Sequence, residues 1–359
     1  MLSAFLTFLA SCFFTLLIVK YKYAHEKLSA DHNFDGPQKF HTVAVPRIGG
    51  IAIFFSLIIG GISRYFLDPE SGTLVFLILV SSLPAFGSGL IEDLTKKVSP
   101  KIRLISCFIS GLIAFYLLRT IIVSIDIPWL NPVFAIPGAA LLITCFMVAG
   151  LTNSFNIIDG FNGLACMVGI ITLFAIAYVS FRLNDSSMVY LSVIMVSGLM
   201  GFFVWNYPRG LIFLGDGGAY LIGFWISILS ILLIIRNPVV SPWFACLINM
   251  YPIFETIFSI WRKRFIKKMS PSMPDGVHLH MLIYGRIARW INPDDKNSYF
   301  ASNARTSPFL WVLSSMAVFP AVIFWKSTLV MEIFTVLFCL SYIFIYKSIV
   351  TFKIPKWLK

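Results

Sequence analysis

The residues best suited to chemistry lie in the segment NSFNIIDGFNGL, residues 153–164, of a chain that is otherwise mostly apolar. Asn156, Asp159 and Asn162 follow one another at intervals of three residues. If the first half of the segment is helical, this spacing places Asn156 and Asp159 on one face of a helix end. Gly160 and Gly163 allow the backbone to turn there. The pattern indicates a polar binding site at the end of an apolar helix.

Carboxylates recur at the ends of other apolar segments. Glu92 and Asp93 end one segment, and Asp216 lies between glycines in FLGDGGAYLIGF, residues 213–224. Mg²⁺ prefers a few carboxylates together with phosphate oxygens and water. If Glu92, Asp93, Asp159 and Asp216 converge on one membrane face, we expect a site for a divalent cation and an anionic ligand.

Asp216 directly precedes an apolar helix, and the sequence allows two interpretations. The unpaired backbone N–H groups of a helix start favour phosphate, and Asp216 would hold the metal that neutralises it. Alternatively, Asp216 is only an N-cap of that helix. Asn206, just upstream, would add a hydrogen-bonding group to the same pocket.

Cations and histidines accompany the carboxylates. Lys39, His41 and Arg47 precede the glycine pair of VPRIGG and could bind phosphate. Lys96, Lys97, Lys101 and Arg103 follow the Glu92–Asp93 pair, and His278 and His280 follow a Pro-Asp-Gly turn. On an extended loop, the two histidines point to one side and could bind phosphate or transfer protons near neutral pH. A positive loop beside the membrane and histidines without a chemical role are equally compatible with these segments.

Composition identifies the elements that must position these residues. Of 359 residues, 58% are hydrophobic and only 12% are charged, and the mean hydropathy is +0.86. This composition is typical of an integral membrane protein, and we expect an all-α polytopic fold because helices satisfy their own backbone hydrogen bonds in lipid. Eleven apolar spans are predicted, near 2–19, 48–66, 72–91, 102–119, 138–155, 162–181, 188–206, 217–235, 243–261, 307–325 and 329–347.

The distribution of cations predicts the orientation. No Lys or Arg precedes the first span, so we expect a retained helix whose N-terminus lies outside. With a cytoplasmic C-terminus, the cytoplasmic segments then carry 23 of the 28 lysines and arginines. Orientation therefore explains most of the net charge of +12, and nucleic-acid binding is not indicated. Six isolated cysteines indicate neither a disulfide framework nor a zinc site.

Five segments, taken in order, resemble the polyprenyl-phosphate N-acetylhexosamine-1-phosphate transferases of glycosyltransferase family 4. They are VPRIGG, GLIEDLTKK, NSFNIIDGFNGLA, FLGDGGAYLIGF and DGVHLH, within residues 36–286. The resemblance implies transfer of a sugar 1-phosphate from a UDP-sugar to a polyprenyl phosphate with release of UMP, as the first step of a cell-surface glycan such as a wall polymer or O-antigen. Mg²⁺ is the implied cofactor, with Mn²⁺ as an alternative.

The resemblance also implies an architecture. A single transmembrane transferase domain, 1–359, would lie in the inner (plasma) membrane, and a homodimer is compatible with it. Its active-site face would be formed by cytoplasmic loops near 20–47, 92–101, 152–163, 206–217 and 262–306.

Roles are carried over position by position. Asp216 resembles the metal-binding aspartate, with Asp159 beside it, and Glu92 and Asp93 match an acidic pair that deprotonates or orients the lipid phosphate. Asn162 lies at the position linked to uridine recognition. The remaining substrate contacts implied are Lys39, His41, Lys96, Asn156, Asp159, Asn206, His278 and His280.

Two departures from the family pattern refine this prediction. The acidic pair is usually Asp-Asp but here is Glu92-Asp93, which leaves the division of roles open. The histidine loop usually reads HxHH, whereas here Met281 follows His280. Together with Asn162, this difference predicts the branch that uses smaller UDP-sugars rather than phospho-N-acetylmuramoyl-pentapeptide donors.

Two questions stay open at the level of sequence. The lipid phosphate could attack the donor directly, or a phosphorylated Asp93 or Asp216 could be an intermediate. A transporter of an anionic substrate is the alternative function, because carboxylates in membrane helices often mark transport paths. Glu255, inside a predicted span, is the residue that would fit that alternative.

Overall fold

A computed structural model describes residues 1–24, 45–266, 268–270, 276–290 and 298–351. Its described part consists of helices joined by short connections and contains no β-strand, which confirms the all-α prediction. Lys39 and His41 lie outside the described residues. The helices are α1 (Leu2–Lys20), α2 (Gly49–Tyr65), α3 (Pro69–Thr95), α4 (Pro100–Leu118), α5 (Asn131–Phe134), α6 (Pro137–Ile158), α7 (Leu164–Arg182), α8 (Ser186–Asn206), α9 (Gly215–Arg236), α10 (Pro242–Ile248), α11 (Met250–Trp261), α12 (Leu279–Trp290), α13 (Ser298–Phe324) and α14 (Thr328–Thr351).

The polytopic architecture is confirmed. In the described part of the chain, nine helices are long and apolar enough to cross a membrane, or ten if one bent pair counts as a span. The remaining predicted span, 48–66, corresponds to α2, an apolar helix of 17 residues. The orientation of the termini stays a prediction.

The predicted span 243–261 is not one helix. It is divided into α10 and α11, whose directions differ by 73°. Pro252 explains the break, because it has no N–H to donate to the carbonyl of Ile248 and its ring clashes with that carbonyl. The Thr172 hydroxyl donates to the freed Ile248 oxygen at 3.2 Å. The polar group exposed by the break is therefore satisfied inside the bundle.

Helix α9 is the centre of the bundle, and every residue from Gly215 to Leu233 is buried. Its first turns contact α2 and α3 at van der Waals distance through glycines. A Cβ on Gly50 would lie 2.5 Å from the Gly218 backbone, and a Cβ on Gly89 would lie 2.6 Å from the Gly217 nitrogen. Glycine is therefore required sterically, because larger residues would force the helices apart.

The chain enters α9 through backbone pairing with the segment before α2. Gly49 and Gly50 donate their N–H groups to the carbonyls of Phe213 and Leu214, both at 3.0 Å, and Phe213 donates to Pro46 at 2.8 Å. This pairing joins the VPRIGG and FLGD segments, which are more than 160 positions apart in the sequence. It fixes where the first turn of α9 lies.

The packing predicts different effects for two glycines that lie two residues apart on α3. Gly89→Ala should destabilise the protein by about 1–3 kcal/mol, because the new methyl group meets backbone atoms that cannot rotate away. Gly87→Ala is the matched control, since nothing lies within 4 Å of a Cβ there. Its effect should be neutral or stabilising by up to about 1 kcal/mol through helix propensity.

Thermal unfolding of both variants in detergent measures this difference. Equal melting temperatures for the two variants would contradict the close approach of α3 and α9.

Candidate active site

The carboxylate of Asp93 caps the first turn of α9 from a neighbouring helix. Its Oδ1 accepts the N–H of Asp216 at 2.9 Å, its Oδ2 accepts the N–H of Gly217 at 3.0 Å, and the residue is only 2% exposed. These N–H groups have no partner within their own helix, and a negative charge at a helix N-terminus is favourable. The prediction that they are open to phosphate is wrong, because Asp93 occupies them.

Asp216 then projects into a charged cluster formed by other segments of the chain. Arg103, in the first turn of α4, forms an ion pair with Oδ2 of Asp216. Asn156, near the end of α6, donates from Nδ2 to Oδ1 at 2.9 Å. Arg47, ahead of α2, places Nη2 at 3.5 Å from Oδ1 of Asp216 and at 3.9 Å from Oδ1 of Asp93. The sequence prediction that Asn156 and Asp216 share a site is supported by this contact.

Asp159 completes the cluster and differs from the other two aspartates. It follows the last residue of α6, and among the described residues its carboxylate makes no hydrogen bond or ion pair. Burial raises its pKa to about 7, the negative charge of Asp216 adds to the effect, and Arg47 opposes it. Within the described cluster, Asp159 is therefore the carboxylate that is free to bind a cation.

Glu92 and Lys96 have different surroundings from Asp93. Glu92 accepts the backbone N–H of Val98 on Oε2 at 2.7 Å and so closes the turn that follows α3. Lys96 ends α3 in the left-handed conformation, with φ of 56°, and is exposed. The two residues of the acidic pair therefore have different surroundings. Asp93 is buried between the helices, and Glu92 lies at the edge of the charged cluster.

Two predicted substrate residues, Asn162 and Asn206, hold the backbone of the loops around the cluster. Asn206 accepts from the Gly163 N–H at 2.6 Å and donates to the Ile212 carbonyl at 2.7 Å. Asn162 donates from Nδ2 to the Pro208 carbonyl at 3.1 Å, and it is 4% exposed. Its Oδ1 is buried without a hydrogen-bond partner among the described residues. That oxygen is the atom through which Asn162 could still contact a ligand.

The segment that contains the two histidines, called the histidine loop below, lies against the NIIDGFNGL turn. The extended conformation expected from the sequence is not present, because α12 begins at Leu279 and includes His280. The ring of His280 contacts Gly160, where a Cβ would lie 3.1 Å from its Nε2, and lies edge-on to Phe161 with ring centroids 5.5 Å apart. His278 and His280 are nearly parallel, with an interplanar angle of 3° and centroids 5.3 Å apart. Burial lowers the pKa of His280 to about 3, so its ring is neutral and can bind an anion only through a donated N–H.

The sequence indicated Arg47 and Arg103 only as members of basic segments, and it predicted no contact with a carboxylate for either. Arg47 and Arg103 lie in basic segments whose charge is also explained by membrane orientation. Arg103 does carry one signal, since Ser99 caps α4 and places Arg103 in the first turns of that helix. A basic residue at a helix start is electrostatically unfavourable unless it has an anionic partner, and here the partner is Asp216.

The fold and the cluster define a multi-pass membrane protein with a polar site at the ends of its helices. Residues 75–234, which include all three aspartates of the cluster, match the model of the family described as Glycosyl transferase family 4.

Curated proteins with related sequences agree with this match. Over 245 residues the chain is 30% identical to a Bacillus subtilis (strain 168) protein named "Probable undecaprenyl-phosphate N-acetylglucosaminyl 1-phosphate transferase", and the alignment covers 68% of this chain and 66% of that protein. It is 28% identical to the undecaprenyl-phosphate alpha-N-acetylglucosaminyl 1-phosphate transferase of Thermotoga maritima, covering 70% of this chain and 72% of the relative. A phospho-N-acetylmuramoyl-pentapeptide-transferase of Clostridium perfringens (strain SM101) is 28% identical over 66% of this chain and 76% of its own length.

The chain belongs to glycosyl transferase family 4. The chain spans about two thirds of the length of the Bacillus relative. The family match covers α3 to α9 and ends before the histidine loop.

The pKa of Asp159 predicts a pH-dependent effect of Asp159→Asn. Because the folded pKa of about 7 is above the ordinary value of 3.8, this residue's contribution to stability is present below about pH 4 and is lost as the pH rises to 7. In chelator, Asp159→Asn should therefore stabilise the protein increasingly between pH 5 and pH 7, and the difference should level off about one pH unit above the folded pKa. Melting temperatures of both proteins across this range measure the difference, and a difference independent of pH would contradict the assignment.

Proposed function

We propose that this protein transfers an N-acetylhexosamine 1-phosphate from a UDP-sugar to a polyprenyl phosphate. The products are a polyprenyl-diphospho-sugar and UMP, and the reaction begins the assembly of a cell-surface glycan. The names of the Bacillus and Thermotoga relatives support this activity. The observation that carries the proposal is the junction of Asp216 and Asp159 with Arg47 and Arg103 at the ends of apolar helices.

The location of the cluster suits the two reactants. One is a water-soluble nucleotide diphosphate and the other is a phosphate anchored in the bilayer, so both must meet where helix ends reach the membrane surface. Guanidinium groups bind phosphate oxygens through paired N–H groups and stabilise the charge of a phosphoryl-transfer transition state. We place this surface on the cytoplasmic side of the inner membrane, in agreement with the distribution of lysines and arginines.

Mg²⁺, or Mn²⁺ in its place, is the cofactor that fits these residues. Asp159 has a free carboxylate among the described residues, and the negative charge of neighbouring Asp216 adds to the rise of its pKa. A bound cation would offset this repulsion between the two carboxylates. In the described part of the chain, no group of three or more His, Cys, Asp and Glu side chains forms a complete metal site. Two carboxylates suffice for Mg²⁺, because substrate oxygens and water complete its coordination. When bound by Asp216 and Asp159, the ion would neutralise the diphosphate of the donor.

Direct attack is the mechanism that the geometry favours. An oxygen of the lipid phosphate forms a bond to the β-phosphorus, the bond from that phosphorus to the oxygen bridging to the α-phosphate breaks, and UMP leaves with that oxygen. An aspartyl-phosphate on Asp93 is disfavoured, because both oxygens of Asp93 bind backbone N–H groups. Asp93 accordingly positions Asp216, and we assign the contact with the lipid phosphate to Glu92, which lies at the edge of the cluster.

The other substrate contacts are assigned by position. Asn156 orients Asp216 beside the diphosphate, and Asn162 offers its unpartnered Oδ1 towards the uridine. Lys96, exposed at the end of α3, is placed to meet phosphate. Roles for Lys39 and His41 rest on the family resemblance, as these residues lie outside the described part. Asn206 acts through the loop backbone, and the pair His278 and His280 closes over the sugar phosphate.

The smaller UDP-sugars are the proposed donors, with UDP-N-acetylglucosamine first among them. Met281 occupies the position of a third histidine, and its thioether has no N–H to donate to a larger donor. The two N-acetylglucosaminyl 1-phosphate transferases among the relatives agree with this choice.

The transporter alternative loses its main support in this structure. Glu255, the carboxylate inside a predicted span, is bonded to His278 and Tyr342 and is completely buried. The carboxylates of the aspartate cluster lie at helix ends rather than along a path through the bundle.

The activity predicts UMP release that requires both substrates. Purified protein with polyprenyl phosphate, Mg²⁺ and a panel of UDP-sugars should release UMP with at least one donor, and excess chelator should abolish the release. Asp216→Asn should lower kcat more than about 100-fold, because it removes the charge that Arg103 and the cation require. Glu70→Gln, an exposed carboxylate in the first turn of α3, is the control and should leave the rate unchanged.

Chromatographic quantification of UMP checks this outcome. Absence of UMP with every donor and an intact acceptor would refute the proposed function, and full activity of Asp216→Asn would remove Asp216 from the site.

A further inference from the structure

Glu255 is a fully buried carboxylate outside the aspartate cluster, and the proposed reaction does not use it. It lies on α11 just after the break between α10 and α11, and its exposure is 0%. A carboxylate buried among apolar helices is costly unless it is fully hydrogen-bonded. A carboxylate at such a position therefore indicates a role for its hydrogen bonds.

The partners of Glu255 come from two other parts of the chain. Oε1 accepts from Nδ1 of His278 at 2.8 Å and from the backbone N–H of Leu279 at 3.4 Å, where α12 begins. Oε2 accepts from the Tyr342 hydroxyl on α14 at 2.6 Å. One carboxylate thus caps α12 and joins α11 and α14 to the histidine loop.

The hydrogen bond to Glu255 also orients the ring of His278. An ionised carboxylate can only accept, so Nδ1 of His278 carries the proton of this bond. The bond fixes the plane of the ring. His280 lies parallel to this ring and contacts Gly160, which adjoins Asp159.

A second hydrogen bond joins the histidine loop to α14. Tyr346, on α14, donates its hydroxyl to the Val277 carbonyl at 3.2 Å and accepts from Nη1 of Arg262 at 3.1 Å. The titratable groups that face Glu255 from the surrounding elements are His278, His280, Tyr251 and Tyr342, and Arg262 interacts with Tyr342 and His280. Among these, His278 and Tyr342 bond the carboxylate directly.

We propose that Glu255 is a positioning residue that holds the His278–His280 loop against the Asp159–Gly160 turn. The break at Pro252 turns α11 so that Glu255 meets the start of α12. Glu255 does not contact the reacting atoms and acts through His278. As a role in catalysis, the inference rests on the proposed transferase function, whereas the placement of the loop can be tested without it.

The kinetic test compares Glu255→Ala with Glu255→Gln. The alanine variant should lower kcat by about 10–100-fold, with KM for the UDP-sugar changed by less than about threefold, because the loop is misplaced while the nucleotide-binding residues keep their positions. The glutamine variant retains an acceptor oxygen and should stay within about threefold of the original kcat. Equal losses of activity in both variants, or no loss in Glu255→Ala, would overturn the positioning role.

A double-substitution cycle separates positioning from general stabilisation. If Glu255 acts through His278, adding Glu255→Ala to His278→Ala should lower kcat no further. If the factor by which kcat falls is the same with and without His278, Glu255 does not act through that residue and the proposal fails.

An activity-independent measurement completes the test. Carbethoxylation of histidines by diethyl pyrocarbonate, followed by mass spectrometry, reports how accessible and reactive each ring is. Glu255→Ala should raise modification of His278 and His280 several-fold, since these residues are only 5% and 1% exposed in the intact structure. Glu332→Gln, near the start of the same α14 that carries Tyr342, is the matched control and should leave both rates unchanged.

The two measurements distinguish the two claims. If the unmodified protein releases no UMP, the proposed function fails and the footprint alone decides whether Glu255 holds the loop. Unchanged modification in Glu255→Ala would overturn the inference whatever the activity. Should that variant not yield folded protein, Glu255→Gln and Tyr342→Phe carry the same comparison with smaller expected increases.

Discussion

The structure depends on one carboxylate that caps a helix other than its own. Asp93, on α3, accepts two backbone N–H groups at the start of α9, the most deeply buried helix of the bundle. The cap can form only because Gly89 and Gly217 let the backbones of α3 and α9 approach closely. It fixes Asp216 at the point where Arg47, Arg103 and Asn156 meet it. Helix packing and site geometry are therefore consequences of the same contact.

Glu255 forms a similar cap at the start of α12, beside the histidine loop. It accepts an N–H at the start of α12 while bonding a histidine of the functional loop. In both places, a buried carboxylate satisfies a helix terminus that water cannot reach, and the orphan N–H groups compensate the cost of burying the charge. Negative charge beside a helix N-terminus is stabilising, which favours a carboxylate at each of these two positions. Both capped helix starts are linked to the NIIDGFNGL turn, one through Asn156 and the other through Gly160.

Sequence patterns predicted the composition of the site better than its contacts. Long apolar runs predicted the helical spans, because a membrane helix requires about 20 such residues. The convergence of Asp93, Asp159 and Asp216 was predicted from their positions at helix ends. The ion pairs of Arg47 and Arg103 with Asp216 were not predicted, since basic residues at helix ends also serve membrane orientation and only their three-dimensional distance from Asp216 distinguishes them.

Two further differences have clear physical causes. A hydropathy pattern depends on the number of apolar residues and is insensitive to the missing N–H of Pro252. The region 243–261 was therefore predicted as one continuous span, although the helix is broken there. Likewise, amide side chains satisfy a backbone as readily as a ligand. Asn162 and Asn206 bond loop backbone at Pro208, Gly163 and Ile212, which spacing alone could not reveal.

The central claim is that the phosphate nearest the sugar moves with it to the lipid. The direct measurement supplies a UDP-sugar labelled at its β-phosphorus, then extracts the lipid and locates the label by chromatography and mass spectrometry. Transfer of a sugar 1-phosphate predicts label in a polyprenyl-diphospho-sugar, in equal amount to the UMP formed. Label that stays in water-soluble UDP while the lipid gains only sugar, or in intact donor taken up by vesicles, would contradict the account.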